Sequence, residues 1–257
     1  MVHGVWHSRT GGDTPRVGEI AGTTTLVGLI GDPVAGSLSP RMQNAAFAAR
    51  GLDWAYVPLH VEHASLDVAV AGMAALGFVG ANVTTPHKAS VIPFCDELEE
   101  AAERAASVNT LLFDHGRVVG TSTDAEALDE VEARSVAVIG SGGAASAWVS
   151  ALDRRGIPVR TFARRETWPP ETSEVELVVH ATTVRDELLF EPRVGQTLIE
   201  LAYLPDGSDT AHVAAARAAG CRVIDGLEVL VRQGAASFQR WTGVEAPLEV
   251  MRAAIRP

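Results

Sequence analysis

The sequence predicts an α/β protein of two domains. From residue 25 onwards, short apolar segments alternate with alanine-rich segments of helical length, which is typical of parallel βαβ units with right-handed crossovers. A glycine-rich loop at residues 140–145 separates one apolar segment from a helical one. The chain has 257 residues, of which 47% are hydrophobic, so it can form two modest domains that each bury a core.

The first predicted domain begins with three strands that alternate with two helices. Strands are expected at 26–30, 55–58 and 80–83 because these runs are short and apolar. Helices are expected at 41–50 and 66–76, where alanine and other helix-forming residues predominate. The alternation predicts that the strands lie parallel in one sheet.

The end of this domain is predicted as a hairpin. Residues 111–113 and 118–120 are apolar and flank a turn-rich segment, 114–117. The acidic cluster at 96–100 is interpreted as the exposed face of a helix, and residues 125–133 as a helix that links the two domains.

The second predicted domain starts at a buried-type strand, 136–139, which is followed by the glycine loop and a helix to about residue 155. Further strands are expected at 159–162 and 177–179. Between these two strands, Trp168-Pro169-Pro170 interrupts any helix, because proline lacks the amide hydrogen that a helix needs.

Composition and charge exclude several classes of partner. A formal net charge of −11 opposes binding to nucleic acid or to an anionic membrane, since both require a basic surface. Cys95 and Cys221 form no CxxC pair, and no apolar signal segment is evident, so we expect reduced thiols in a cytoplasmic protein. No metal site is expected, because His60 and His63 have helical spacing but no third ligand. Residues 1–23 lack periodicity and are interpreted as an extension.

A lysine and an aspartate each follow a short apolar segment. Lys88 ends Asn82-Val83-Thr84-Thr85-Pro86-His87-Lys88, and Asp124 ends Thr121-Ser122-Thr123-Asp124. A lysine ammonium held by a carboxylate can bind a substrate oxygen and relay its proton while a cofactor moves the hydride. Ligands of such folds lie beyond the carboxyl ends of parallel strands, where Lys88 falls, so we predict a Lys–Asp dyad at the domain cleft.

Two serines, Ser37 and Ser39, lie where the first strand gives way to the first helix. Hydroxyl groups and unpaired backbone amides at such a junction suit an anion, in particular a carboxylate. Ser39 also precedes Pro40, so we expect it to cap the helix as well.

The glycine loop predicts a dinucleotide site, because small residues let the backbone approach a pyrophosphate at a helix N-terminus. The residues predicted to contact the cofactor there are Gly140, Gly142, Gly143, Ala144 and Ala145. After the next strand, an NAD enzyme usually has an acidic residue for the ribose, whereas this chain has Arg164 and Arg165. Two guanidinium groups can pair with a 2′-phosphate, so the predicted cofactor is NADP.

These motifs, in this order and at this spacing, resemble the shikimate dehydrogenase family. They are Ser37-Leu38-Ser39-Pro40, Asn82 to Lys88, Ser107-Val108-Asn109-Thr110, Thr121 to Asp124, the glycine loop, and 225–234 followed by Phe238 and Trp241-Thr242-Gly243. The resemblance extends from about residue 26 to about residue 254.

The resemblance implies reversible, NADP-dependent reduction of 3-dehydroshikimate to shikimate, in the pathway to aromatic amino acids. Carried over by position, Lys88 and Asp124 form the catalytic pair, and Ser37 and Ser39 hold the substrate carboxylate. The residues implied around the ring hydroxyls are Thr84, Lys88, Asn109, Asp124 and Gln233, with Tyr203 nearby. The implied substrate domain comprises 24–124 and the C-terminal helices, 233–257, and a Rossmann-like cofactor domain comprises 125–232.

Two alternatives stay open at this point. A relative acting on quinate, aminoshikimate or aminoquinate would differ by one or two polar contacts. A non-catalytic ligand-binding paralogue is a second alternative, because the segment 166–176 is shorter than the strand and helix usual in the family. The presence of both Lys88 and Asp124 argues against the paralogue. Either a monomer or a homodimer fits the sequence.

Overall fold

A computed structural model of the chain describes residues 20–256, apart from the side chains at positions 129 and 130. Most of the predicted extension, residues 1–23, therefore lies outside the described residues. Two β-sheets organise the rest, one in each half of the chain. The combination of an N-terminal α/β unit, a Rossmann-like unit and returning C-terminal helices agrees with the predicted fold class.

The first sheet has six strands in the order β2-β1-β3-β5-β6-β4. The strands are β1 (Thr25–Gly31), β2 (Trp54–His60), β3 (Gly80–Val83), β4 (Glu97–Leu98), β5 (Thr110–Asp114) and β6 (Arg117–Thr121). Strands β1, β2 and β3 are parallel, whereas β5 runs antiparallel to both β3 and β6, as a hairpin requires. Strands β3 and β6 therefore run in the same direction, and their carboxyl ends meet one edge of the sheet.

The helix interpretation of residues 96–100 is wrong. Glu97 and Leu98 form the edge strand β4, and the helix α3 (Glu100–Ala105) begins only at Glu100. The Asp96 carboxylate accepts a hydrogen bond from the backbone amide of Val118 at 2.7 Å. This acidic segment is thus held by pairing with β6, a tertiary contact that local helix propensity does not reveal.

The second sheet is entirely parallel, in the order β11-β10-β9-β7-β8. Its strands are β7 (Val136–Ile139), β8 (Val159–Phe162), β9 (Leu177–His180), β10 (Thr197–Glu200) and β11 (Arg222–Ile224). Helix α4 (Gly143–Arg154) connects β7 to β8, and α5 (Ala211–Ala218) precedes β11. No helix is found between β8 and β9, as Trp168-Pro169-Pro170 predicts.

Besides α3, four helices cover the first sheet or return to it. They are α1 (Ser39–Ala49), α2 (Leu66–Ala75), α6 (Gly226–Thr242) and α7 (Leu248–Ile255). In the core, the ring of Phe238 in α6 stacks on Phe47 at 5.3 Å, and the Trp241 indole donates to the Leu111 carbonyl at 3.0 Å. These contacts attach the C-terminal helices to the N-terminal sheet. The expected boundary at residues 232 and 233 falls inside α6, whose Val229 and Val231 pack in different cores.

The expected linking helix over 125–133 is a short 3-10 turn, Glu126–Glu130, instead of an α-helix. Ala127 and Leu128 are buried in the apolar core between the second sheet and its helices. The backbone of Val131 is extended and leads into β7. Burial of these apolar side chains outweighs the helix propensity of the segment, which is a weak local preference. Within residues 20–256, no helix is both long and apolar enough to cross a bilayer.

Candidate active site

Lys88 and Asp124 meet at the edge where β3 and β6 end. The Lys88 ammonium donates hydrogen bonds to both carboxylate oxygens of Asp124, each at 2.7 Å. The exposed fraction of each side chain is small, 17% for the lysine and 9% for the aspartate, so the pair is well shielded from water but still reachable. Such shielding strengthens the attraction between the two charges. The geometry is that of the dyad predicted from the sequence.

Lys88 has a feature that the sequence analysis passed over, because it is the only lysine among 257 residues. Every other basic side chain of the Lys and Arg type is an arginine. A guanidinium stays charged in proteins, whereas a lysine can release and regain a proton. A single lysine in a chain that otherwise uses arginine is therefore the sequence signal that points to proton transfer at this residue.

Asn109 fixes the orientation of the Asp124 carboxylate. Its side-chain amide donates to Asp124 Oδ1 at 2.9 Å and to Gln233 Oε1 at 3.2 Å. Its Oδ1 accepts the backbone amide hydrogen of Thr123 at 2.8 Å, which sets the position of the amide. Because Gln233 lies on α6, these bonds join the predicted substrate residues to the C-terminal helix.

A buried polar network supports Asn109, and the sequence analysis assigned no role to its members. The side-chain amide of Asn82 donates to the backbone carbonyl of Asn109 at 3.1 Å and to Ser237 Oγ at 3.0 Å. Its Oδ1 accepts a hydrogen bond from the Tyr56 hydroxyl at 2.8 Å. Burial raises the pKa of Tyr56 well above its usual value, so the phenol stays protonated. The signal that could have revealed the network is an asparagine inside an otherwise apolar strand.

Ser37, Ser39 and Tyr203 lie together at the start of α1. Ser39 is the first helical residue, and the N-cap position is Leu38, whose side chain makes no capping hydrogen bond. The expected cap by Ser39 is therefore wrong. Instead, Ser37 Oγ accepts the Ser39 amide hydrogen at 3.2 Å, and Ser39 is buried close to the Tyr56 phenol.

Tyr203 reaches this place from the loop after β10. Its hydroxyl oxygen accepts the backbone amide hydrogen of Leu38 at 3.4 Å, although the two residues are far apart in the chain. Thr84 lies at the same sheet edge, since its amide donates to the Ile30 carbonyl at the end of β1. A Cβ atom on Gly31 would lie 2.3 Å from the Thr84 methyl group, so the lack of a side chain at Gly31 leaves the space that Thr84 occupies. The hydroxyl groups predicted for the substrate thus gather near the carboxyl ends of β1 and β3.

The glycine loop lies directly against the lysine. A Cβ atom on Gly143 would come within 2.5 Å of Ser107 Oγ and 3.0 Å of Lys88 Cβ, so only glycine permits this close approach. Gly140 has a φ of +134° and passes the Ala181 carbonyl so closely that a Cβ atom there would lie 2.5 Å away. The second sheet therefore presents its first loop to Lys88.

The rest of the loop suits an anion. Gly142 is the N-cap of α4. Because glycine has no side chain to cap the 12-residue helix, the first backbone amides keep their hydrogen-bonding capacity. A Cβ atom on Gly142 would meet no atom within 4 Å, so the loop borders open space. Ala144 and Ala145 occupy the first turn of the helix. This cradle fits the pyrophosphate of a dinucleotide.

Arg164 and Arg165 follow β8, the strand beside β7, and are exposed. The Gly140 amide donates to the Phe162 carbonyl at 2.9 Å, so the arginines lie at the same sheet edge as the glycine loop. The Arg164 guanidinium lies 5.5 Å from the centre of the Trp168 ring and 3.9 Å from a carboxylate oxygen of Glu187. Trp168, an aromatic residue of the shortened segment, therefore supports one of the two arginines.

Similarity to known proteins shows which family this chain belongs to. Residues 29–111 match the shikimate dehydrogenase substrate binding domain, and residues 226–256 match the shikimate 5′-dehydrogenase C-terminal domain. The shikimate dehydrogenase (NADP(+)) of an Anaeromyxobacter species is 40% identical over 92% of this chain and 97% of its own length. The chain belongs to the shikimate dehydrogenase family.

Other relatives agree with this assignment. The shikimate dehydrogenase (NADP(+)) of Moorella thermoacetica is 37% identical over 93% of this chain and 95% of its own length. The crystal structure of shikimate 5-dehydrogenase from Thermus thermophilus, in complex with NADP(H) and shikimate, has a TM-score of 0.81 and 28% identity. That likeness covers 90% of this chain and 98% of the solved one. The two-sheet architecture is thus that of the shikimate dehydrogenases.

One buried cluster was not expected from the sequence. His180, Glu200 and His212 are fully buried, and ligand-type atoms of the three lie within 4.8 Å of one another. No metal site was expected from the sequence, and the hydrogen bonds of His212 disfavour one here. The Leu189 amide donates to His212 Nε2 at 2.9 Å, so a neutral His212 carries its hydrogen on Nδ1, the nitrogen that faces Glu200. A metal would have to displace that hydrogen and leave an imidazolate.

Proposed function

We propose that the chain is an NADP-dependent shikimate dehydrogenase that reversibly reduces 3-dehydroshikimate to shikimate, in aromatic amino acid biosynthesis. The observation that carries the proposal is the Lys88–Asp124 pair beside a glycine loop that fits a dinucleotide. The names of its relatives support the same substrate and cofactor. Hydroxyl and amide groups that suit a polyhydroxylated carboxylate surround the pair.

When bound, NADPH supplies a hydride to the ring carbonyl carbon. Lys88 then has two tasks on the carbonyl oxygen, namely to hold it by a hydrogen bond and to give it a proton as the alcohol forms. An ammonium has three hydrogens, and the carboxylate of Asp124 accepts from this group at both oxygens, which leaves one hydrogen for the substrate. Asp124 fixes the direction of the ammonium.

Neutral donors bind the substrate carboxylate in this acidic protein. Ser37, Ser39 and Tyr203 lie together at the beginning of α1, and we assign them to the carboxylate end of the ring. Thr84, Asn109 and Gln233 lie closer to the dyad and take the ring hydroxyls. The dyad and the serines then hold opposite ends of one small ring, which fixes the reacting carbon beside the glycine loop.

We expect Ser37→Ala and Ser39→Ala each to raise the KM for shikimate about tenfold while kcat changes little. A hydrogen bond to a charged group contributes about 1.5–3 kcal/mol, and each 1.4 kcal/mol corresponds to a factor of ten. Steady-state kinetics at saturating NADP measures the effect. Ser65→Ala is a control for removal of a serine hydroxyl beside a helix N-terminus, because Ser65 is the N-cap of α2 and makes no capping bond. Normal KM values in both serine variants would place the carboxylate site elsewhere.

The function itself is tested by two measurements on the same preparation. Titration with NADPH, followed by fluorescence, determines whether the cofactor binds. Initial rates of NADP reduction with shikimate, quinate and their amino analogues determine the substrate. Binding without turnover would support a non-catalytic paralogue, and faster turnover of quinate or an amino analogue would support that relative. The domain boundaries, a cytoplasmic location and a monomeric or homodimeric state remain predictions from the sequence.

A further inference from the structure

Three side chains in contact, Glu200, His180 and Thr182, lead from the buried interior of the second domain to the side of the cleft where the glycine loop lies. Glu200 and His180 end the neighbouring strands β10 and β9 and are paired in register. His180 Nδ1 lies 2.9 Å from both carboxylate oxygens of Glu200, and His180 Nε2 lies 2.6 Å from Thr182 Oγ1. The proposed reaction uses none of these residues.

Two further groups hold the Glu200 carboxylate. The backbone amide of Ala202 donates to Oε1 at 2.9 Å and the Thr210 hydroxyl donates to Oε2 at 3.2 Å. Both bonds suit a carboxylate that accepts a hydrogen at each oxygen.

A negative Glu200 needs a positive partner. Both side chains are fully buried, where an unpaired negative charge is very unfavourable, and a His180 that carries hydrogens on both ring nitrogens would neutralise it. The pKa of His212 is lowered to about 4, first by burial and then by the nearby His180, so His212 is neutral at neutral pH and does not supply that charge. The rings of the two histidines lie 4.1 Å apart.

A doubly protonated His180 would determine what the Thr182 hydroxyl can do. Its Nε2–H would donate to Thr182 Oγ1, which lies 2.6 Å away, and the backbone amide of Val184 donates to the same oxygen at 3.1 Å. Both lone pairs of the hydroxyl are then used, and only its hydrogen is left.

Thr182 lies where a bound dinucleotide can use that hydrogen. It is half-buried and follows β9, next to Ala181, whose carbonyl contacts the Gly140 turn of the glycine loop. We propose that the buried Glu200–His180 pair makes the Thr182 hydroxyl a dedicated hydrogen-bond donor to an acceptor oxygen of the bound dinucleotide. This inference rests on the proposed function, since it requires a dinucleotide in the cleft. His180 and Glu200 are then positioning residues that act through Thr182.

Binding of NADPH, followed by fluorescence in the absence of substrate, tests the donor. Thr182→Val should weaken NADPH binding about five- to tenfold, which is the effect of one lost hydrogen bond, and Thr182→Ser should restore it to within about twofold. Glu200→Gln should weaken binding as much as Thr182→Val, although Thr182 is still present. His212→Gln changes the same cluster but not the Glu200–His180–Thr182 line, so it should bind NADPH normally.

Nitrogen-15 NMR of the histidine rings gives a readout that a purely structural role would not change. At neutral pH the wild-type protein should show His180 with hydrogens on both nitrogens, and Glu200→Gln should lose this signature. A neutral His180 in the wild type, or equal NADPH affinity in Thr182→Val and the wild type, would overturn the inference alone. Failure of the wild type to bind NADPH would overturn the proposed function and this inference with it.

Discussion

Lys88→Ala is expected to lower kcat for shikimate oxidation by about three orders of magnitude and to leave the protein folded. General acid–base catalysis contributes about 10²- to 10⁴-fold, and the lost charge also removes stabilisation of the developing oxyanion. The fold tolerates the change because Lys88 lies at a cleft and contributes little to either core. Steady-state kinetics and thermal unfolding on the same preparation measure the two effects.

Two further variants show what the lysine supplies. Lys88→Arg keeps the positive charge but cannot release a proton at neutral pH, so it should be nearly as inactive as Lys88→Ala. Asp124→Asn should also be severely impaired, and Lys88→Ala/Asp124→Asn should cost far less than the sum of the single changes, because the residues act as a unit. Near-normal turnover in Lys88→Ala would remove Lys88 from the mechanism.

Replacing Arg164 and Arg165 together by alanine is expected to raise the KM for NADP by about two orders of magnitude and to leave the KM for NAD nearly unchanged. Each guanidinium contributes a charge-assisted contact to the 2′-phosphate, of about 1.5–3 kcal/mol. The Trp168 ring restricts Arg164 near the glycine loop, so this residue should account for the larger share.

Kinetics with both cofactors measure this preference. Arg160→Ala is a suitable control, because Arg160 is an exposed arginine of β8, the strand that Arg164 and Arg165 follow, and pairs with Glu174 at 3.3 Å. It should leave both KM values unchanged. Equal catalytic efficiency with NAD and NADP in the unmodified protein would show that the arginines do not select the cofactor.

Much of the fold follows from local sequence. The strands at 136–139 and 159–162 have the expected bounds, because each is a short run of strand-type residues bordered by turn-forming or polar ones. The segments 96–100 and 125–133 were misjudged for a shared reason. Each is held by partners distant in sequence, the β6 edge in one case and the second core in the other. Local propensity carries no information about such partners.

The site divides in the same way. Lys88, Asp124 and Asn109 belong to motifs that can be recognised from the sequence alone, and the structure brings the three side chains together. Asn82 and Tyr56 gain their role only from hydrogen bonds between strands and a C-terminal helix. The cluster around His180 arises because β9 and β10 are in register, and no spacing in the sequence predicts which residues strand pairing will join.

The single lysine has a practical consequence for study of the enzyme. Because Lys88 carries the only side-chain amine, reductive methylation with isotope-labelled formaldehyde would attach reporter methyl groups to one side chain in the whole protein, and that side chain belongs to the proposed catalytic pair. Its nitrogen faces Asp124, and its Cβ lies against Gly143 of the glycine loop. Resonances of those methyl groups would therefore respond both to the dyad and to the distance between the two sheets. The chain provides this probe without any mutation.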